Sequence, residues 1–136
     1  MDKQLVTEKL LEFCHRSYPN LDWNYSYFHG HQTPTYYHPH SYNVVALIVG
    51  SCSLFKLELE ICSDGEGWEG IKGWCTLNSL DWVGEFIVFL SCGKKSELCF
   101  YTETVDKWSV EHWLLCKQIQ KIMLDIYTFI LDEIQE

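Results

Sequence analysis

Hydrophobic positions recur along this chain in two periods, and the change from one to the other divides it into elements. From 106 to 134 the spacing is helical. At 100° per residue Trp108, His112, Leu115, Ile119, Ile122, Met123, Ile126, Tyr127 and Ile130 share one broad face. Lys117, Gln118, Lys121, Asp125, Thr128 and Asp132 oppose it, and Leu114 and Gln120 break the pattern. This predicts a long C-terminal helix that needs a large apolar partner. Two caps suit its start: Asp106 with Val105 and Val110 as the staple, or Ser109 with Trp108 and Trp113. Residues 2–17 form a second amphipathic pattern, with Val6, Leu10, Phe13 and Cys14 against Glu8, Lys9, Glu12 and Arg16. Asp2 is its N-cap, and Pro19 stops it.

Between the helices the period falls to two. Residues 21–27 alternate without fault, which predicts a half-buried strand with Trp23 and Tyr25 turned to the core. Residues 29–40, HGHQTPTYYHPH, read as a loop, with Tyr36 and Tyr37 facing out. Tyr42–Val49 is a continuous apolar run, as expected of a central strand. Residues 54–62 alternate again, with Leu57, Leu59 and Ile61 inward and Lys56, Glu58 and Glu60 toward water. Residues 63–67 are a turn, and 68–77 form a further strand despite Gly70 and Gly73. Strands at 85–92 and 97–103 make a hairpin around Gly93-Lys94-Lys95-Ser96.

The order is helix, five or six strands, helix. Connections this short favour an antiparallel meander over parallel crossovers. The predicted fold is α+β: one domain over 1–136, with a curved sheet packed on the C-terminal helix. The helix flank at Trp113, Leu131 and Ile134 is where this arrangement would leave room for another protein.

Composition adds a charge and a compartment. Asp plus Glu number 19 against 10 Lys plus Arg, a formal net charge of −9. Such a surface repels phosphate backbones, so direct nucleic-acid binding is not expected, and it attracts a basic protein partner. The seven cysteines are odd in number and contain no C-x-x-C, as free buried thiols in a reducing compartment would be. No apolar run approaches ~18 residues, and Met1-Asp2-Lys3-Gln4 lacks the order of a signal peptide. A cytoplasmic protein without membrane contact is expected, its oligomeric state open.

Three clusters are candidates for function. Glu58, Glu60, Asp64, Glu66 and Glu69 make an acidic strand and turn. Tyr36 and Tyr37 lie in an aromatic loop of the kind enriched at recognition surfaces. His29, His31, His38 and His40 form two H-x-H pairs that could surround zinc or copper, but their spacing matches no zinc signature and only Asp22 is an acidic neighbour. No calcium loop, phosphate loop or nucleophile motif is present, so neither an enzyme nor a cofactor is expected.

In size, charge and lack of catalytic motif the chain is similar to cognate immunity proteins of bacterial toxin systems and to phage-encoded inhibitors. That likeness implies a protein that binds and neutralises one basic, nucleic-acid-acting target, as in a toxin–antitoxin pair. The acidic patch and Tyr36–Tyr37 would supply the contact. Two alternatives follow from the same fold: a small-molecule binder similar to the helix-grip folds, with a cavity between sheet and helix, or a secretion-chaperone-like adaptor.

Overall fold

The first helix, α1 (Lys3–Ser17), begins where the sequence places its cap. The Asp2 carboxylate accepts the Gln4 and Leu5 N–H groups at 3.1 and 3.2 Å, which satisfies two donors that a helix start leaves open. The computed structural model describes residues 2–27, 34–35, 38–63, 69–77, 82–90, 95–101 and 110–135. Its strands are β1 (Asp22–Tyr27), β2 (Pro34–Thr35), β3 (His38–Ser51), β4 (Phe55–Ser63), β5 (Glu69–Leu77), β6 (Trp82–Phe89) and β7 (Glu97–Phe100). The C-terminal helix α2 (Val110–Phe129) ends in a π-helical turn (Ile130–Ile134). Among the described residues no helix is long and apolar enough to cross a membrane.

The expected α+β meander is what forms. Every pairing is antiparallel and the order is β1-β3-β4-β5-β6-β7, with the short β2 beside the first half of β3. Register sorts the side chains onto two faces, because successive residues of a strand point opposite ways. Ile48, Leu59, Gly73 and Phe86 stand in one cross-strand row, and Ala46, Ile61, Ile71 and Val88 in the next. These residues share one core with Val6, Leu10 and Cys14 of α1 and with Ile119, Met123, Ile126 and Ile130 of the C-terminal helix. Both helices therefore lie on the same face of an open sheet. Phe13 of α1 stacks on Phe129 with ring centroids 4.2 Å apart, and the Tyr18 hydroxyl donates to the Asp125 carboxylate.

Gly73 explains how a glycine-bearing segment becomes a central strand. The Phe86 ring lies over it, and a Cβ at this position would also meet Leu59 at 2.9 Å. Phe86 in turn reaches Tyr127 of α2, with ring centroids at 5.6 Å. The missing side chain is the space that brings β6 and α2 together.

Four expectations need correction. Tyr25 stands opposite Ile48 on the helix side of the sheet but is 57% exposed, because β1 is an edge strand and Tyr25 lies outside the packed core. Glu60 does not face water: it is 6% exposed. Part of the 29–40 loop is sheet, since Pro34–Thr35 pairs with β3 and β3 begins at His38. Pro39 stands in that first part of β3, four residues before Asn43, where the described β3–β4 pairing begins. Ile134 is buried rather than left on an open flank; the Gln135 side-chain amide next to it donates to the Phe89 carbonyl at 2.8 Å. Trp113 does remain 41% exposed. The segment holding Asp106, Trp108 and Ser109 lies outside the described residues, so the start of the C-terminal helix is described only from Val110.

Candidate interaction face of the sheet

The face turned away from both helices carries the polar members of each strand. Its register places Glu58, Trp74, Glu85 and Cys99 in one row across β4 to β7. Glu60, Lys72, Ile87 and Glu97 form the next. Over β5, β6 and β7 this face sinks into a trough of about 210 Å3, lined by Lys72, Trp74, Glu85, Ile87, Glu97 and Cys99. Trp74 and Ile87 are the half-buried apolar floor, and Glu85, Glu97 and Cys99 are exposed at the rim.

Electrostatics differ from one end of the face to the other. Burial holds the Lys72 amine below its ordinary range, opposed by Cys62, Glu60 and Glu85. Burial likewise holds the Glu60 carboxyl above its ordinary range; Glu58 adds to this and Lys72 opposes it. At the β7 side the Tyr101 hydroxyl donates to Glu85. That bond is the main reason the phenol is pushed up to about 12, so it remains a donor near neutral pH.

Glu60 gives a testable pH effect. A carboxyl whose folded pKa is raised contributes stability that is fully present below its unfolded value and is lost as pH rises through the folded one. Glu60→Gln removes that loss. The variant is expected to match the parent near pH 4 and to unfold at higher denaturant concentration at pH 7.5, measured by urea titration at both pH values. An unchanged gap between the two pH values would reject the assignment.

The sequence-predicted acidic cluster is not one patch. Glu58 stays on the face turned away from α1 and α2, half-buried and paired with Lys56 at 3.0 Å. Glu69 stands on the helix side and pairs with Lys3 of α1 at 3.5 Å, while Asp64 and Glu66 lie outside the described residues. Tyr36, Tyr37, His29 and His31 also lie outside them, and His38 and His40 fall in the first residues of β3. Among the described residues no three His, Cys, Asp or Glu side chains are grouped to hold a metal ion.

Cys14, Cys62, Cys75 and Cys116 are buried, whereas Cys99 is exposed. Burial pushes the Cys14 thiol up to about 12 and raises Cys62 and Cys75 as well, which keeps these sulfurs protonated and unreactive.

Reading along the sequence missed Trp74, Glu85, Ile87, Glu97 and Cys99 as a group. The signal that finds them is cross-strand: once Gly73 is set opposite Phe86, Trp74 and Glu85 must meet on the other face. Comparison with protein-family models, with curated proteins and with solved structures finds no match.

Proposed function

We propose that this chain is a small acidic protein that binds and neutralises one specific basic protein, of the immunity or inhibitor type, and that it does so through the face of its sheet turned away from α1 and α2. The observation that carries the reading is the trough over β5–β7, where an apolar floor of Trp74 and Ile87 is edged by Glu85 and Glu97. An aromatic centre with charges at its rim is the anatomy of a protein contact. The net charge of −9 extends the attraction beyond contact range. At about 210 Å3 the trough is smaller than the roughly 300–1,000 Å3 of small-molecule sites, and its floor and rim, Trp74, Ile87, Glu85 and Glu97, stand on the face opposite α2, where a helix-grip ligand would sit.

Affinity capture from the producing cells tests this. Immobilised protein is expected to retain a basic protein whose binding weakens as salt rises, and whose activity is blocked on mixing. Glu85→Lys places the wrong charge on the face and should abolish retention. A partner indifferent to both salt and Glu85→Lys would sink the reading.

An adaptor that works as a dimer is the second reading. It is favoured by the outward flank of α2, where Val110, Trp113, Leu114 and Leu124 are exposed within one helical stripe. Light scattering on a sizing column decides it: a dimer that Leu114→Asp dissociates supports the adaptor, and a monomeric parent removes it.

A further inference from the structure

We propose that the trough receives a single arginine side chain of the basic partner, its guanidinium held against Trp74 and between the carboxylates of Glu85 and Glu97. The inference rests on the protein-binding reading and narrows it to one chemical group.

Register supplies the geometry. Glu85 stands opposite Cys99 and Glu97 opposite Ile87, so the two carboxylates are diagonal neighbours on β6 and β7. Diagonal positions on one sheet face lie about 7–8 Å apart, close enough for one planar cation to meet both. Trp74 is the direct cross-strand neighbour of Glu85, and Ile87 is the direct neighbour of Glu97. An apolar floor therefore runs beneath both acids.

The trough also has a direction. Lys72 occupies the β5 side, directly opposite Glu60 on β4. A bound cation therefore sits on the β7 side, between Glu97 and the Glu85 carboxylate that the Lys72 charge also reaches, and its aliphatic stem lies along Trp74 and Ile87. The Tyr101 hydroxyl donates to one Glu85 oxygen and fixes how that carboxylate is presented.

Arginine fits better than lysine for a physical reason. Its guanidinium offers donors in a plane that can serve two carboxylates while stacking on an indole, whereas an ammonium is a strongly hydrated point charge. A phosphate group is excluded by the two acids. A metal ion finds no third grouped His, Cys, Asp or Glu ligand among the described residues.

The test uses hexa-arginine and hexa-lysine peptides against the full chain, by calorimetry and by the indole N–H signal of Trp74, assigned through Trp74→Phe. Hexa-arginine is expected to bind about three- to tenfold more tightly than hexa-lysine and to shift that signal. Glu85→Gln and Glu97→Gln should each weaken it about fivefold or more. Glu8→Gln and Glu133→Gln, which remove the same charge from exposed helix positions, should change it less than about twofold. Equal losses in all four variants, equal affinity for the two peptides, or an unmoved Trp74 signal would each overturn the pocket.

The outcomes separate the two readings. A captured basic partner whose binding ignores Glu85→Gln and Glu97→Gln defeats the arginine pocket and leaves the protein-binding function. Peptide binding that follows the predicted order, with no basic partner captured, does the reverse.

Discussion

Trp23→Ala is expected to cost about 3–5 kcal/mol of folding stability, among the largest effects of any single substitution in this chain. Trp23 is 7% exposed although it sits on an edge strand. Its ring lies over Gly50, the residue directly opposite on β3, where a Cβ would fall within 2.6 Å of the ring edge. Removing the indole leaves a void that glycine has no side chain to fill, which places the site at the costly end of large-to-small changes. The indole N–H also donates to the Tyr18 carbonyl at 2.8 Å, just beyond the end of α1.

That bond joins the edge strand to the helix, and Tyr18 continues the connection to α2 through Asp125. Trp23→Phe separates the two contributions. It keeps most of the ring while removing the donor, so it should cost about 1–2 kcal/mol from the hydrogen bond and a small loss of volume. Guanidinium unfolding of both variants provides the measurement. A Trp23→Ala variant within about 1 kcal/mol of the parent would mean that β1 and α1 are not coupled through this ring.

The elements most easily read in the sequence are those whose pattern is complete within one segment. The first helix is such a case, since Asp2, Val6, Leu10 and Cys14 all act within a few turns. Leu57, Leu59 and Ile61 are another, because strict alternation leaves only one face for them. What was not legible depended on neighbours distant in sequence. Tyr25 has the right parity but lies outside the packed core on its edge strand. Glu60 has the parity of a water-facing residue, yet it is buried on an interior strand opposite Lys72.

The functional face shows the same dependence. Among the described residues that were predicted to bind a partner, Glu58 remains half-buried on it, because alternation within β4 is enough to place it. Trp74, Glu85 and Glu97 come from three strands, and no local motif links them. They meet because Gly73 pairs with Phe86 and the register of β5, β6 and β7 carries that alignment outward. A sheet builds a contact surface across its strands, whereas a sequence is read along them.

Ile126→Ala is the complementary expectation, at about 2–5 kcal/mol. Ile126 is fully buried in the C-terminal helix, in the core that also holds Ile122, Met123 and Ile130. The helix rests on β5, β6 and β7, the same strands that carry the trough on their other side. Thr128, exposed two residues along, should tolerate alanine within about 0.5 kcal/mol. The contrast, read by chemical unfolding, tests whether this face of the helix carries the core. Binding should respond differently, because in β6 Phe86 points to α2 while its neighbours Glu85 and Ile87 point into the trough. Below its lowered melting temperature, Ile126→Ala should bind hexa-arginine as the parent does, within about twofold. Glu85→Gln should lose binding while unfolding at the parent's denaturant concentration. If Ile126→Ala instead abolishes binding in the folded protein, the two faces are not independent, and the trough would require the exact curvature that α2 imposes on the sheet.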